Sequence, residues 1–254
     1  METAALRKHD LRIGLVTPST NTTLEPEFYR MVPEGVTVHA ARVFQSGAQE
    51  QSSYERMAAD IEIASRYLAT AEVDVIAFGC TSCTYFVDPA PIRATMARET
   101  GAPSVLTADA VIDALRHLGL RRIGLAGPRT EFVTRREVQF LLDNGFEVPT
   151  WKCLGLGSTD ASRRSIGRVP PDEVRALART VAEAGVDSIF VSCTQLPTAT
   201  LIAELEGTLG IPVVTSNQAT LWVCLRACGV INPIRGYGRL LENMAHHPEV
   251  QIQS

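Results

Sequence analysis

The sequence predicts an α/β fold built from two pseudo-symmetric domains with parallel sheets, the active site lying in the cleft between them. Three observations carry this. The segment VDVIAFGCTS (73–82) recurs as VDSIFVSCTQ (186–195), with Val73, Asp74, Ile76, Cys80 and Thr81 each matched 113 residues later. RIGLV (12–16) recurs as RIGLA (122–126) at a spacing of 110, and Pro18 recurs as Pro128. Gly101-Ala-Pro103 and Gly210-Ile-Pro212, then Arg116…Gly119 and Arg226…Gly229, continue the match at 109 and 110. Offsets drifting by so few residues indicate duplication with small loop changes.

Each half reads as strands alternating with helices. Apolar runs of strand length fall at Ile13–Thr17, Val36–Val43, Val73–Gly79 and Ser104–Thr107. Their counterparts are Ile123–Ala126, Glu147–Leu154, Val186–Ser192 and Pro212–Thr215. Near-continuous apolar character in most of these suits parallel strands covered on both faces. Met57, Ile61, Ala64 and Leu68 form a helical stripe, as do Val174, Leu177, Val181 and Ala184. Pro170-Pro171-Asp172 marks a helix start, because proline is tolerated in the first turn. The boundaries follow: a first α/β domain over 1–107 plus about 221–254, and a second over 108–220. The segment from about Leu221 is expected to cross back onto the first domain.

Composition narrows the function. A chain of 254 residues buries a full core, and 45% hydrophobic with 20% charged residues describes a globular protein. A net charge of −4 without a Lys/Arg run argues against nucleic acid. No apolar stretch reaches the roughly 20 residues that span a bilayer, so no membrane partner is expected. METAALRKHD lacks the apolar region of a signal peptide, which predicts a cytoplasmic protein with six free thiols. The five histidines (9, 39, 117, 246 and 247) have no metal-ligand spacing, so no metal site is expected.

In open α/β sheets ligands bind beyond the carboxyl ends of the strands. Loop 17–23 with its twin 127–131, the two cysteine turns, and the turns after 107 and 215 all occupy that rim. Cys80 and Cys193 are the candidate catalytic pair. A single strand-end thiol is more simply a buried apolar residue; two at matched positions, each followed by a hydroxyl, favour chemistry. A cysteine before Thr-Ser at a helix N-terminus is expected to have a lowered thiol pKa. The same N–H groups, with Thr81, Ser82 and Thr194, suit a substrate carboxylate. Cys80 and Cys83 also form a CxxC, but a redox pair leaves Cys193 unexplained, since Leu196 stands at the matching position. Cys224 and Cys228 read as core. Asn21 serves equally as a helix cap or a ligand group. Arg129 is either a carboxylate fork or a solvated loop arginine. Arg163 and Arg164 lie in a polar loop that either closes over the cleft or faces solvent.

The segment RIGLVTPSTNTTLEPEF, the turns GCTS and SCTQ, and the ending GYGRLL resemble the aspartate/glutamate racemase superfamily over nearly the whole chain. Within it they are most similar to maleate cis-trans isomerases and their relatives in ectoine-utilisation clusters, with arylmalonate decarboxylase more distant. The resemblance implies two Rossmann-like domains, no cofactor, and an interdomain site. It implies Cys80 as nucleophile and Cys193 as proton donor or acceptor, with Asn21 of Pro18-Ser19-Thr-Asn21 on a substrate carboxylate. The decarboxylases have glycine at the first cysteine position, whereas this chain keeps both thiols. Isomerases and decarboxylases carry tyrosine where this chain has Arg129, and the isomerase asparagine of the later loop falls near Arg163. Positive charge in place of neutral donors implies a more anionic or differently shaped substrate.

The expected function is therefore a cofactor-independent cis-trans isomerase of a small unsaturated dicarboxylate, maleate to fumarate in the simplest case. Pro18, Ser19, Asn21, Thr81, Ser82, Arg129, Thr194 and Gln195 are the expected substrate-binding residues, in a chain expected to form a homo-oligomer. The alternatives are a two-cysteine racemase or epimerase of an amino acid, hydantoin or hydroxy acid, a malonate-type decarboxylase, and a non-catalytic carboxylate-binding protein.

Overall fold

The computed structural model describes residues 11–47 and 49–244. The ends of the first domain, the leader reading, and His9, His246 and His247 lie outside the described residues. Among the described residues, eight strands form two four-stranded parallel sheets. The first holds β1 (Leu11–Pro18), β2 (Val36–Val43), β3 (Val75–Phe78) and β4 (Ser104–Leu106) in the order β2-β1-β3-β4. The second holds β5 (Arg122–Arg129), β6 (Glu147–Leu156), β7 (Ser188–Val191) and β8 (Val213–Thr215) in the order β6-β5-β7-β8. The register is duplicated too: Ile13 pairs with Val75 and Ile123 with Ser188.

The helices are α1 (Leu24–Met31), α2 (Gln51–Ala59), α3 (Ile61–Ala69), α4 (Pro89–Thr100), α5 (Thr107–His117) and α6 (Glu131–Asp143). They continue with α7 (Asp160–Ser165), α8 (Pro171–Ala182), α9 (Ile202–Leu209), α10 (Ser216–Ala227) and α11 (Arg239–Glu242). None is long and apolar enough to cross a membrane among the described residues.

The repeated sequence motifs have local causes. Gly101 and Gly210 end α4 and α9 in the left-handed conformation, at φ 68° and 75°. That conformation is open to glycine, and the proline two residues on prevents the helix from resuming. Asp74 and Asp187 accept hydrogen bonds through Oδ2 from the Arg12 and Arg122 amides, at 2.8 and 2.9 Å. Each aspartate thus ties the approach to its cysteine strand to the start of the central strand of its own sheet.

Two helical expectations are corrected. The stripe Met57, Ile61, Ala64, Leu68 is buried throughout, yet the helix breaks at Asp60. There the Asp60 carboxylate is drawn away to accept the Phe44 amide at 2.9 Å. Ala184 is exposed and lies beyond the end of α8, while Val174, Leu177 and Val181 face the core. Pro170 and Pro171 open α8 as expected.

One apolar cluster joins the halves. It takes Ile13, Leu15, Val75 and Val105 from the first sheet, Ile123, Leu125, Phe190 and Val214 from the second, and Val111, Leu115, Leu221 and Trp222 from α5 and α10. Helices α5 and α10 follow the last strand of each half and pack on each other, and α10 also contacts α1, β3 and β4. Two further clusters fill the outer faces of the sheets. Burying side chains of this size contributes roughly 1.5–3 kcal/mol each, so the shared layer holds the two strand-end rims in a fixed relation.

Candidate active site

Strand β3 ends at Phe78, and the chain turns through Gly79 into Cys80. The turn at Gly79 is tightly covered: a Cβ there would lie 2.1 Å from Leu24 Cδ2, so a side chain would require the Leu24 side chain on α1 to move. Strand β7 ends at Val191, and Ser192 leads into Cys193, whose φ of 92° is rare for a residue with a side chain. Both thiols are buried, 2% and 5% exposed.

The two turns are bonded to each other across the halves. Thr194 Oγ1 donates to the Gly79 carbonyl at 2.9 Å. Ser216 Oγ, at the start of α10, accepts from Thr81 Oγ1 and from the Cys193 amide, both at 3.0 Å. Asn21 takes the capping role: its Oδ1 accepts from the Thr23 and Leu24 amides at 2.9 and 3.1 Å, ordering the entry to α1. Its Nδ2 donates to Thr194 Oγ1 at 3.0 Å. Gln195 Nε2 donates to the carbonyls of Thr20 and Arg163, both at 3.1 Å. Ser82 Oγ accepts from Tyr54 Oη at 3.2 Å and lies 4.0 Å from Cys80 Sγ. Pro18 ends β1 and is buried, while Ser19 Oγ accepts the Gln45 amide at 3.0 Å.

Arg129, at the end of β5, is not a solvated loop residue. It is 6% exposed, and its Nε and Nη1 have no hydrogen-bond partner. Burial pulls its pKa down, but the neighbouring Cys193, Tyr54 and Cys80 push it up beyond its ordinary value, so it stays charged. Arg163 and Arg164 divide between the two readings of their loop. Arg164 is exposed. Arg163 is buried and bonds to the Gly47 carbonyl, and its Nη1 pairs with Asp160 at 3.1 Å. Asp160 Oδ1 also accepts the Gly47 amide at 2.9 Å, so the loop after β2 is fastened to α7.

The expected helix N-terminus at Cys80 is corrected. The turn runs into a single 3-10 turn, Cys83–Tyr85, too short to sum a macrodipole. Burial pushes the Cys80 thiol up, opposed chiefly by the charge of Arg129 and then by the Cys83 amide. The cation, rather than a helix end, is what favours thiolate here. Burial likewise carries the Tyr54 phenol up to about 12, with Arg129 opposing.

Several residues at the site went unread in the sequence. Ser216 lies in the turn after 215, a rim loop by position, yet its bridging role depends on partners from both halves. Tyr54 sits in the first α2 turns with no repeat partner to single it out. Glu137 is 3% exposed and accepts through Oε1 from Ser192 Oγ at 2.5 Å and Tyr85 Oη at 2.9 Å. Burial raises its carboxyl to about 7, against the pull of these two hydrogen bonds and of Arg129. No group of three or more His, Cys, Asp or Glu among the described residues is arranged to hold a metal ion.

The Glu137 shift has a testable sign. The unfolded carboxyl ionises near the ordinary 4.5 and the folded one near 7. Between these values the unfolded chain holds fewer protons, so this group's contribution is fully present below 4.5 and is lost as pH rises through 7. Glu137→Gln does not titrate. Its stability relative to the parent is expected to rise across that window by on the order of 3 kcal/mol. Urea denaturation of both proteins from pH 4.5 to 8 measures this; a difference independent of pH would contradict it.

Comparison with known proteins places these features in context. A family profile described as arylmalonate decarboxylase matches residues 13–241. An arylmalonate decarboxylase of Bordetella bronchiseptica is 30% identical over 236 residues, covering 91% of this chain and 96% of that protein. A maleate isomerase of Pseudomonas putida is 28% identical over 246 residues, covering 91% and 96%. Among solved structures, a cysteine-to-serine variant of Nocardia farcinica maleate cis-trans isomerase, with a covalently bound succinylcysteine intermediate, superposes with a TM-score of 0.83. It is 26% identical, and the match covers 91% of this chain and 98% of that one.

Proposed function

The chain belongs to the arylmalonate decarboxylase family, and from that membership we propose that it is a cofactor-independent isomerase of a small unsaturated dicarboxylate, maleate to fumarate in the simplest case. The observation that carries this reading is the buried guanidinium of Arg129, two of whose nitrogens have no hydrogen-bond partner and whose charge bears on thiols from both halves. A buried cation with free donors is expensive unless an anion completes it. A substrate carboxylate supplies that anion in a planar shape matched to the guanidinium fork. The maleate isomerase relatives and the covalent intermediate on a related chain support the choice of reaction.

In this mechanism the Cys80 thiolate adds to one alkene carbon. The displaced electron pair moves to the second carbon and into its carboxylate, leaving a single bond free to rotate. Cys193 lends a proton to that carbanion and takes it back. Return of the pair to the carbon–carbon bond breaks the carbon–sulfur bond, and the trans acid leaves with the thiolate restored. Arg129, Asn21 and the Thr81–Ser82 turn hold the carboxylates as charge shifts between them. The different neighbours of the two thiols suit one nucleophile and one proton carrier better than two interchangeable bases.

Incubation of the protein with maleate and a panel of small mono- and dicarboxylates in D₂O, followed by proton NMR, tests the proposal. Appearance of fumarate is the expected result. Deuterium at a stereocentre of another acid, without double-bond isomerisation, would replace the isomerase by a two-base racemase or epimerase. Loss of CO₂ from a malonate would replace it by a decarboxylase. Ligand-induced thermal stabilisation with no conversion of any compound would identify a binding protein.

A further inference from the structure

Two buried carboxyls occupy the same place in the repeat. Glu27 lies fifteen residues after Arg12, and Glu137 lies fifteen after Arg122. Glu27 is on α1 and Glu137 on α6, the helices that follow the first strand of each half. They are 7% and 3% exposed, and neither forms an ion pair with a described residue.

Each reaches into the other half. Glu27 Oε1 accepts the amides of Thr198 and Ala199 at 2.5 and 2.7 Å, and Oε2 accepts Asn217 Nδ2 at 2.7 Å and Thr198 Oγ1 at 3.3 Å. Asn217 Nδ2 also donates to the Thr194 carbonyl at 3.0 Å, one residue from Cys193. Glu137 Oε1 holds Tyr85 in the turn after Cys80 and Ser192 just before Cys193. Tyr85 is five residues past Cys80, and Thr198 is five past Cys193. The repeat has therefore duplicated the acid, the turn it grips and the crossing between halves.

We propose that Glu27 and Glu137 are a pair of positioning residues, each fixing from the opposite half the turn that follows a catalytic cysteine, and together setting the spacing of the two thiols across the cleft. The proposal rests on the isomerase reading and adds to it what holds the thiols in place. A thiol pair working on two adjacent carbons needs placement to roughly 0.5 Å, and a buried carboxyl is costly unless donors compensate its desolvation, which ties each acid to the turns that supply them. The two acids differ in one decisive respect. Every partner of Glu27 is a donor and both oxygens are occupied, so a glutamine amide would face a donor there. Glu137 takes both bonds on one oxygen, which a glutamine can reproduce.

The test uses steady-state kinetics with maleate beside iodoacetamide labelling mapped by peptide mass, with the half-buried Cys153 as internal reference. Glu137→Ala and Glu27→Gln are expected to lower kcat by about 10–100-fold with little change in KM, as loss of a supporting contact does. Glu137→Gln is expected to recover most of the kcat lost in Glu137→Ala. Glu27→Gln should accelerate labelling at Cys193 and not Cys80, whereas Glu137→Ala should accelerate both, relative to Cys153. Tyr85→Phe is milder: it should lower kcat alone and add nothing to Glu137→Ala. The proposal is overturned by equal acceleration at every cysteine, by kcat falling only with the folded fraction, or by Glu137→Gln matching Glu137→Ala. If the parent protein converts no maleate, the isomerase reading fails by itself, and the labelling pattern still decides the positioning role.

Discussion

Cys80→Ala is expected to lose maleate isomerisation by at least about 10³-fold, because the covalent route has no substitute nucleophile. Cys83 is near in sequence but does not replace it. Its Sγ lies 3.8 Å from the Tyr54 carbonyl, and burial and the neighbouring Cys80 hold its thiol protonated well above the ordinary range. Cys193→Ser is expected to behave differently. The addition itself needs only the Cys80 thiolate, and the resulting carbanion can take its proton from water, so protein mixed with maleate should gain the mass of one maleic acid, located on the Cys80 peptide. With the proton carrier weakened, that adduct should persist while turnover stops. Intact-mass and peptide-mass analysis separate the two variants. An adduct on the Cys193 peptide instead, or full activity in Cys80→Ala, would reverse or remove the assigned roles.

What was legible in the sequence follows from where each residue's partners lie. All eight strands could be read: β1, β3, β4, β5, β7 and β8 are largely buried and therefore apolar runs, whereas β2 and β6 are more exposed and stood out less by apolar character. The Gly-x-Pro helix stops and the Asp74/Asp187 pins repeat at fixed offsets, so duplication exposed them. The break at Asp60 could not be read, since the Phe44 amide that captures its carboxylate comes from the end of β2. The Thr-Ser after Cys80 looks like a helix start, but the chain has only a 3-10 turn there, and the charge beside the thiol comes from β5. Thr194 and Gln195 illustrate the same limit. Their hydroxyl and amide protons go to Gly79, Thr20 and Arg163, partners fixed only when the two sheets meet. Glu27 and Glu137 were within reach, because their common offset of 110 is as regular as that of the cysteine strands is at 113. Acids inside helical patterns read as solvated faces unless the repeat is followed through them.

Arg129→Met is expected to move stability and activity in opposite directions. In the empty site the guanidinium is desolvated, and two of its nitrogens have no partner. The charge of Cys80 and Cys193 compensates only to the extent that a thiol is ionised. A buried, incompletely paired cation is commonly worth replacing: similar-volume apolar substitutions of buried charges are neutral or stabilising by about 1–4 kcal/mol. The methionine variant should therefore melt at or above the parent temperature. With dicarboxylate bound the sign reverses. The same guanidinium then forms a desolvated charge-assisted pair, and truncating one partner of such a pair costs about 2–5 kcal/mol. That corresponds to roughly 30- to 4,000-fold in kcat/KM at about 1.4 kcal/mol per tenfold. Cys80 should respond as well, because removing the charge that chiefly opposes burial raises the thiol further. The pH at which kcat/KM rises should move upward in Arg129→Met, whereas a residue that only binds carboxylate would scale the profile without shifting it. Thermal melts with and without succinate, combined with the pH dependence of kcat/KM, separate these contributions. A variant less stable than the parent in the empty state, with an unshifted pH profile, would show Arg129 to be a packing residue.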